Sequence, residues 1–178
     1  MPETYDLPED LPPVLQELLD YWLAVSDRTG VLPTLSDINL MELYRIAPRL
    51  FIGDRVRAEN GNIRYRWRFW GTTLSIFVGA DLTGKFLNQT HDEKATAAAI
   101  KYYEWALENG KPHHYCQGIS VVGSENTYWE YERLIVPVAD KTGQPGHIMG
   151  VYVSDQEDSY FKPERVLEGH KSYSFRDI

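Results

Sequence analysis

From position 11 apolar residues recur at helical spacing: Leu11, Leu15, Leu18, Leu19, Trp22 and Leu23 form one stripe between polar neighbours. Asp10 is placed to cap this helix, Pro12 and Pro13 suit its opening turn, and Thr29-Gly30 ends it. The spacing predicts a second, shorter helix from Asn39, with Glu42 as a capping-box partner and Pro48 as its stop. The period then falls to two. One strand is predicted over Leu50 to Val56, and the turn Asn60-Gly61-Asn62 leads into another over Ile63 to Trp70. In the second strand Ile63, Tyr65, Trp67 and Phe69 alternate with Arg64, Arg66, Arg68 and Trp70, the pattern of a half-buried antiparallel strand.

Gly71 breaks the alternation. Thr72 to Val78 has the length of two helical turns, closed by Gly79 as a left-handed terminator, and Asp81 to Gly84 reads as a tight turn. A long helix is predicted from an Asp92 cap to Glu108, with Thr96, Ala99, Ile100, Tyr103, Ala106 and Leu107 on one face. Three strands follow, His113 to Val122, Tyr128 to Ala139 and His147 to Ser154, joined by loops at Gly123 to Thr127 and Asp140 to Gly146. Two strands, a run of helices and three strands imply an α+β fold, a five-stranded antiparallel sheet with helices on one face. The N-terminal helix is surplus to that layer. Its stripe through Leu15, Leu18, Leu19 and Trp22 needs cover, from the other sheet face or from a second copy as a homodimer. The division is then an N-terminal helical extension over 1–30, a main domain over 31–155 and a polar tail over 156–178, partly helical or extended against another chain.

Acidic residues outnumber basic ones 26 to 18, for a formal charge of −8, and the only basic cluster is Arg64, Arg66 and Arg68. Nucleic acid, held chiefly by concentrated Lys and Arg, is not an expected partner. Cys116 is the single cysteine, which rules out an intrachain disulfide and a cysteine-based zinc cage. Met1 to Asp10 lacks a basic-then-apolar leader pattern, and no apolar run reaches membrane-spanning length, so no membrane insertion and a cytoplasmic location are expected. With 12 Tyr, 5 Trp and 6 Phe, rings either fill a thick core or line a pocket or interface.

An ordered set of motifs resembles the single-domain bacterial PAS-like family, the fifth PAS subgroup. It comprises Tyr21-Trp22, Leu32-Pro33, Ser36-Asp37-Ile38, Pro48, Leu50, Phe51, then Arg68-Phe69-Trp70-Gly71-Thr72-Thr73-Leu74 and Gly79-Ala80-Asp81-Leu82-Thr83-Gly84, and finally Glu132-Arg133-Leu134 with Pro137, and the resemblance as a whole spans about residues 15 to 153. The motif residues also make sense as scaffold. Gly71 and Gly79 bracket a helix that reverses at both ends, Thr72 can cap it, and Asp81 and Thr83 can satisfy turn amides while Leu82 and Phe86 enter the core. The resemblance implies a non-catalytic sensory or adaptor domain, with a small molecule held between sheet and helical lid, or a dimerisation surface, or both. No output element is recognisable in the chain, so a signal is expected to leave through a signalling protein partner.

In this scheme Tyr65, Trp67 and Phe69 oppose Ile76, Phe77, Phe86, Ile100 and Tyr103, and the rings pack as a core or edge an apolar cavity. Arg68 and Glu132 are expected to pair as a structural salt bridge. An Arg68 or Arg133 that faced the cavity instead would favour a carboxylate or phosphate through its planar fork, although alternation turns Arg68 away. His114 and Cys116 share a strand face beside His113, but no second ligand pair is spaced to complete a metal site, and surface or edge histidines are expected. For haem the resemblance implies an axial histidine on the long helix; His91 precedes that helix, so haem is not expected. For covalent flavin the resemblance implies a reactive cysteine in a polar motif on a short helix; Cys116 lies on a strand and that motif is absent, so covalent flavin is not expected, while loosely bound flavin stays open.

No nucleophile elbow, phosphate-binding loop or dinucleotide fingerprint occurs, and Glu130 and Glu132 beside Arg133 read as a solvated face. The rival reading is a small cone or hot-dog cavity enzyme for an acyl or cyclic substrate. It requires an Asp, Glu or His among Trp67, Phe77 and Tyr103.

Overall fold

The structure, a computed structural model, describes residues 7–121, 128–154 and 173–175. The expected loop at Gly123 to Thr127 and most of the expected tail lie outside these residues. Helix α1 spans Pro13–Thr29. Pro12, not Asp10, takes the capping position, and its carbonyl accepts from the Leu15 and Gln16 amides. Residues 39–49 do not form the expected helix. They run through turns into a single 3-10 turn, Ala47–Arg49. Asn39 does hydrogen-bond the Met41 amide (3.1 Å) and Glu42 (3.2 Å), but so short a stretch before Pro48 does not repay helix nucleation.

The strands are β1 (Leu50–Arg57), β2 (Ile63–Trp70), β3 (His113–Val121), β4 (Tyr128–Ala139), β5 (Pro145–Ser154) and β6 (Tyr173–Phe175). They form one sheet in the order β2-β1-β5-β4-β3-β6. The first five are antiparallel, as expected for this α+β fold, and β6 joins the β3 edge in parallel. Alternation along β4 and β5 divides the core in two. Leu134, Val136, Val138, Met149, Val151 and Val153 face α1, whose Leu15, Leu18, Leu19 and Trp22 are buried against them. The Trp22 indole also donates to the Pro137 carbonyl at 2.8 Å. Of the two covers expected for this stripe, the other sheet face or a second copy, the chain's own sheet supplies the first.

The other face carries α2 (Thr72–Val78), α3 (Leu87–Thr90) and α4 (Glu93–Asn109), with Asp92 capping α4 through the Ala95 amide at 2.8 Å. Glycine brackets α2 for two different reasons. Gly79 has φ 77°, the left-handed conformation that glycine adopts most cheaply. Gly71 has φ −64° and needs no such freedom; a Cβ there would lie 2.3 Å from the Pro48 carbonyl oxygen. Gly71 is also the capping position, so the expected Thr72 cap does not form.

One irregularity decides what faces the helices. In the β1–β2 register Ile52 pairs with Phe69 and Gly53 with Trp67, which leaves Arg68 as the extra residue of a bulge. The bulge resets the side-chain alternation. Tyr65, Trp67 and Trp70 pack on the helical side, and Phe69 turns to the α1 side, the reverse of the strict-alternation assignment for the last two.

Candidate ligand pocket

Between the sheet and the helical layer lies a cavity of about 50 Å³. Its sheet wall is Phe51, Trp67, Trp70, Tyr131, Arg133 and Tyr152; Phe77, Val78, His91 and Tyr103 close it from the helical side. Local sequence explains how the wall is built. The Phe51 ring crosses the neighbouring strand at Gly150, where any Cβ would come within 2.3 Å of it. The bulge swings Trp70 beside Trp67, with centroids 4.9 Å apart, and Trp67 sits edge-on to Phe51 at 5.5 Å. Phe77 of α2 meets Tyr152 at 5.5 Å, and Val78, Tyr131 and Tyr152 are only half-buried.

Of the residues expected to line a cavity, Trp67, Phe77 and Tyr103 do so. Tyr65 is buried, but its hydroxyl is drawn off to Glu104, which Arg55 grips with Nε and Nη2 (2.9 and 2.6 Å). Burial, reinforced by that carboxylate, raises the Tyr65 pKa, so it stays a phenol. Phe69 lies on the opposite face. Ile76 points outward at 81% exposure, because Leu74 and Phe77 take the inward side of α2. Phe86 is half-buried under the Arg64 guanidinium (3.8 Å), and Ile100 packs at the rim of a separate surface groove near Arg64 and Asn88. Phe51, Trp70, Val78, His91, Tyr131 and Tyr152 were not anticipated; the bulge hid Trp70, and the others carry no distinguishing sequence signal.

The motif residues divide between scaffold and pocket. Asp81 accepts from the Thr83 amide (2.9 Å), and Gly84 donates to the Trp67 carbonyl (2.7 Å), tying this turn to β2. Arg68 does not pair with Glu132. It donates to Asp54 at 2.7 Å, where His147 (2.9 Å) and Arg66 (3.3 Å) converge as well. Burial opposes the Asp54 charge, but these hydrogen bonds prevail and hold its pKa down at about 2. Glu132 is not on a solvated face. It is fully buried and meets His114 at 2.8 Å. With Cys116 it forms a group of three donor atoms lying within 4.8 Å of one another, so Glu132 supplies the third donor that the His114–Cys116 pair lacked. His113 is not a surface histidine either; it is buried against Tyr102 (5.0 Å) and Trp105 (5.2 Å).

Arg133 neighbours Glu132 along β4 and so faces the other way, into the pocket, with 6% of its surface exposed. Its Nη1 donates to the Tyr103 hydroxyl (3.0 Å), and its guanidinium lies 4.0 Å from the Tyr115 ring centre and 4.9 Å from that of Tyr103, a cation–π cradle. Burial is the strongest influence on Arg133 and acts against its charge, yet the oxygens of Tyr103, Tyr115 and Tyr131 outweigh it and raise its pKa. Arg133 is thus a permanent cation in a largely apolar chamber. His91 behaves oppositely. Burial first, and then the Arg133 charge, push its pKa down to about 3, so its ring is neutral near pH 7.

A family model described as "PAS domain" matches residues 11–153. No curated protein matches the chain. Among solved structures it is similar to the PAS domain of a protein from Colwellia psychrerythraea, at 14% identity and a TM-score of 0.43 over 67% of this chain and 100% of that one. It is likewise similar to a Rhodobacter sphaeroides LOV protein, at 14% identity and a TM-score of 0.44 over 81% of this chain and 70% of that one. The PAS domain of Bordetella pertussis BvgS gives 17% identity and a TM-score of 0.40 over 66% and 86%. With the family match extending across both core layers, the chain belongs to the PAS domain family.

Proposed function

We propose that this PAS domain is a non-catalytic sensory or adaptor module that takes a small molecule into the Trp67–Arg133 pocket and passes its occupancy to a signalling protein. The supporting observation is the chamber itself, an aromatic cavity under a two-turn lid with one buried cation in its wall. Native mass spectrometry of freshly purified protein, set against its denatured mass, tests this. A discrete mass excess that is lost on denaturation is expected, and equal masses from every preparation would count against a resident ligand.

The cavity-enzyme reading has one observation in its favour, since His91 supplies the ionisable residue it requires. Its chemistry is poor. A general base works best with a pKa near the operating pH, and His91 lies far below it with Nδ1 engaged by Thr90 at 2.8 Å. Turnover of simple acyl esters that His91→Gln abolishes would revive that reading; absence of turnover is expected.

A further inference from the structure

The hydrogen-bonding inventory of the pocket wall is lopsided. Trp67 Nε1, Trp70 Nε1, Arg133 Nε and Arg133 Nη2 are buried and find no acceptor among the described residues. All of them are N–H groups on side chains that can only donate. Buried donors without acceptors are costly, and a buried charge without a counter-charge more so. The carboxylates next along the chain to Tyr103 and Arg133 do not answer the deficit. Glu104 is gripped by Arg55, and Glu132 points to the opposite face. Among the described residues no Asp or Glu lines the cavity, and His91 is neutral, so Arg133 is the one formal charge in that lining.

The geometry points to a small organic monocarboxylate as the ligand class, its two oxygens directed at the Arg133 guanidinium and its short apolar body against the Trp67 and Trp70 rings. This inference rests on the pocket being a binding site, as proposed above. A carboxylate brings acceptor sites and no donor, and its planar fork matches guanidinium. One positive charge calls for one negative charge, which disfavours phosphate dianions and dicarboxylates. The cavity of about 50 Å³ has room for a few waters, about 10–15 Å³ of such space holding one, and so admits a carboxylate head with a short chain.

The test is a titration of the full chain, followed by tryptophan fluorescence and thermal shift, with acetate, propanoate and butanoate. Acetamide and propanamide serve as neutral shape-matched controls, and sodium chloride and phosphate as ionic ones. Saturable binding of carboxylates, at least tenfold tighter than of amides, is expected. Arg133→Met should weaken it by about 10- to 100-fold, and Arg133→Lys, which keeps the charge without the fork, by less. Circular dichroism and a melt confirm that each variant is folded, and the Met variant replaces a buried charge with an apolar chain of similar length, a change often tolerated. Amides binding as tightly as carboxylates, or carboxylate binding unchanged in a folded Arg133→Met, would overturn the anion assignment and leave the pocket reading intact. If no probe binds and native and denatured masses agree, the pocket reading itself fails. A co-purified neutral ligand would overturn the carboxylate alone.

Discussion

The two histidines forced neutral by their surroundings make the fold sensitive to acid. Burial, aided by the Arg133 charge, lowers both His91 and His113 from the ordinary value near 6.5 to about 3. As pH drops from about 6.5 toward 3 the unfolded chain binds protons that the folded chain refuses, so stability decreases with falling pH through that window, by up to about 1.4 kcal/mol per pH unit for each ring. Asp54 adds its own loss only further down, between about 4 and 2, as its carboxylate is protonated. Replacing His113 by Phe keeps a ring against Tyr102 and Trp105, and chemical-denaturation curves at pH 7 and pH 5 should show a shallower pH dependence than in the parent; an unchanged slope would exonerate this residue. The glycines that bracket α2 should also separate experimentally. Gly79→Ala forces a left-handed alanine and should cost about 1 kcal/mol, whereas Gly71→Ala drives a methyl into the Pro48 carbonyl and should cost several times as much in urea unfolding.

At the scale of elements, α1 is structural. Leu18 is fully buried between the helix and the β4–β5 face, and Leu18→Ala should cost about 2–5 kcal/mol in thermal or urea unfolding. Deleting residues 1–30 would strip this cover from six apolar strand residues, so a loss of soluble folded protein is expected. A truncated chain with an unaltered melting transition would show that the helix merely rests on the sheet. Periodicity and turn residues sufficed to read α1, α2, α4 and all five antiparallel strands, because each is long enough for its period to repeat or is bounded by Gly or Pro. The four-residue α3 and the turns after Asn39 were not legible, being too short for any period to show. The bulge at Arg68 defeated the face assignment of Phe69 and Trp70, since an inserted residue leaves composition and hydrophobicity untouched and appears only in the pairing with β1. Arg133 was recognised as a conditional anion ligand, but its orientation depended on which way β4 presents its odd-numbered residues.

Across the whole molecule the sheet works as a partition. One side holds the aromatic pocket under α2–α4, the other an aliphatic layer under α1, and β4 and β5 contribute to both. No helix of the described residues is long and apolar enough to cross a membrane. Glu132 and Arg133 sit side by side on β4 yet plunge into opposite compartments, each meeting its own partner there. Sliding β4 by a single step against β3 and β5 would exchange the two compartments' polar groups, delivering the Glu132 carboxyl group among tyrosine rings and a guanidinium toward leucine and valine. Such a misthreaded sheet would carry two misplaced polar side chains at once, so the adjacent Glu132 and Arg133 favour one alignment of the central strands over its neighbours.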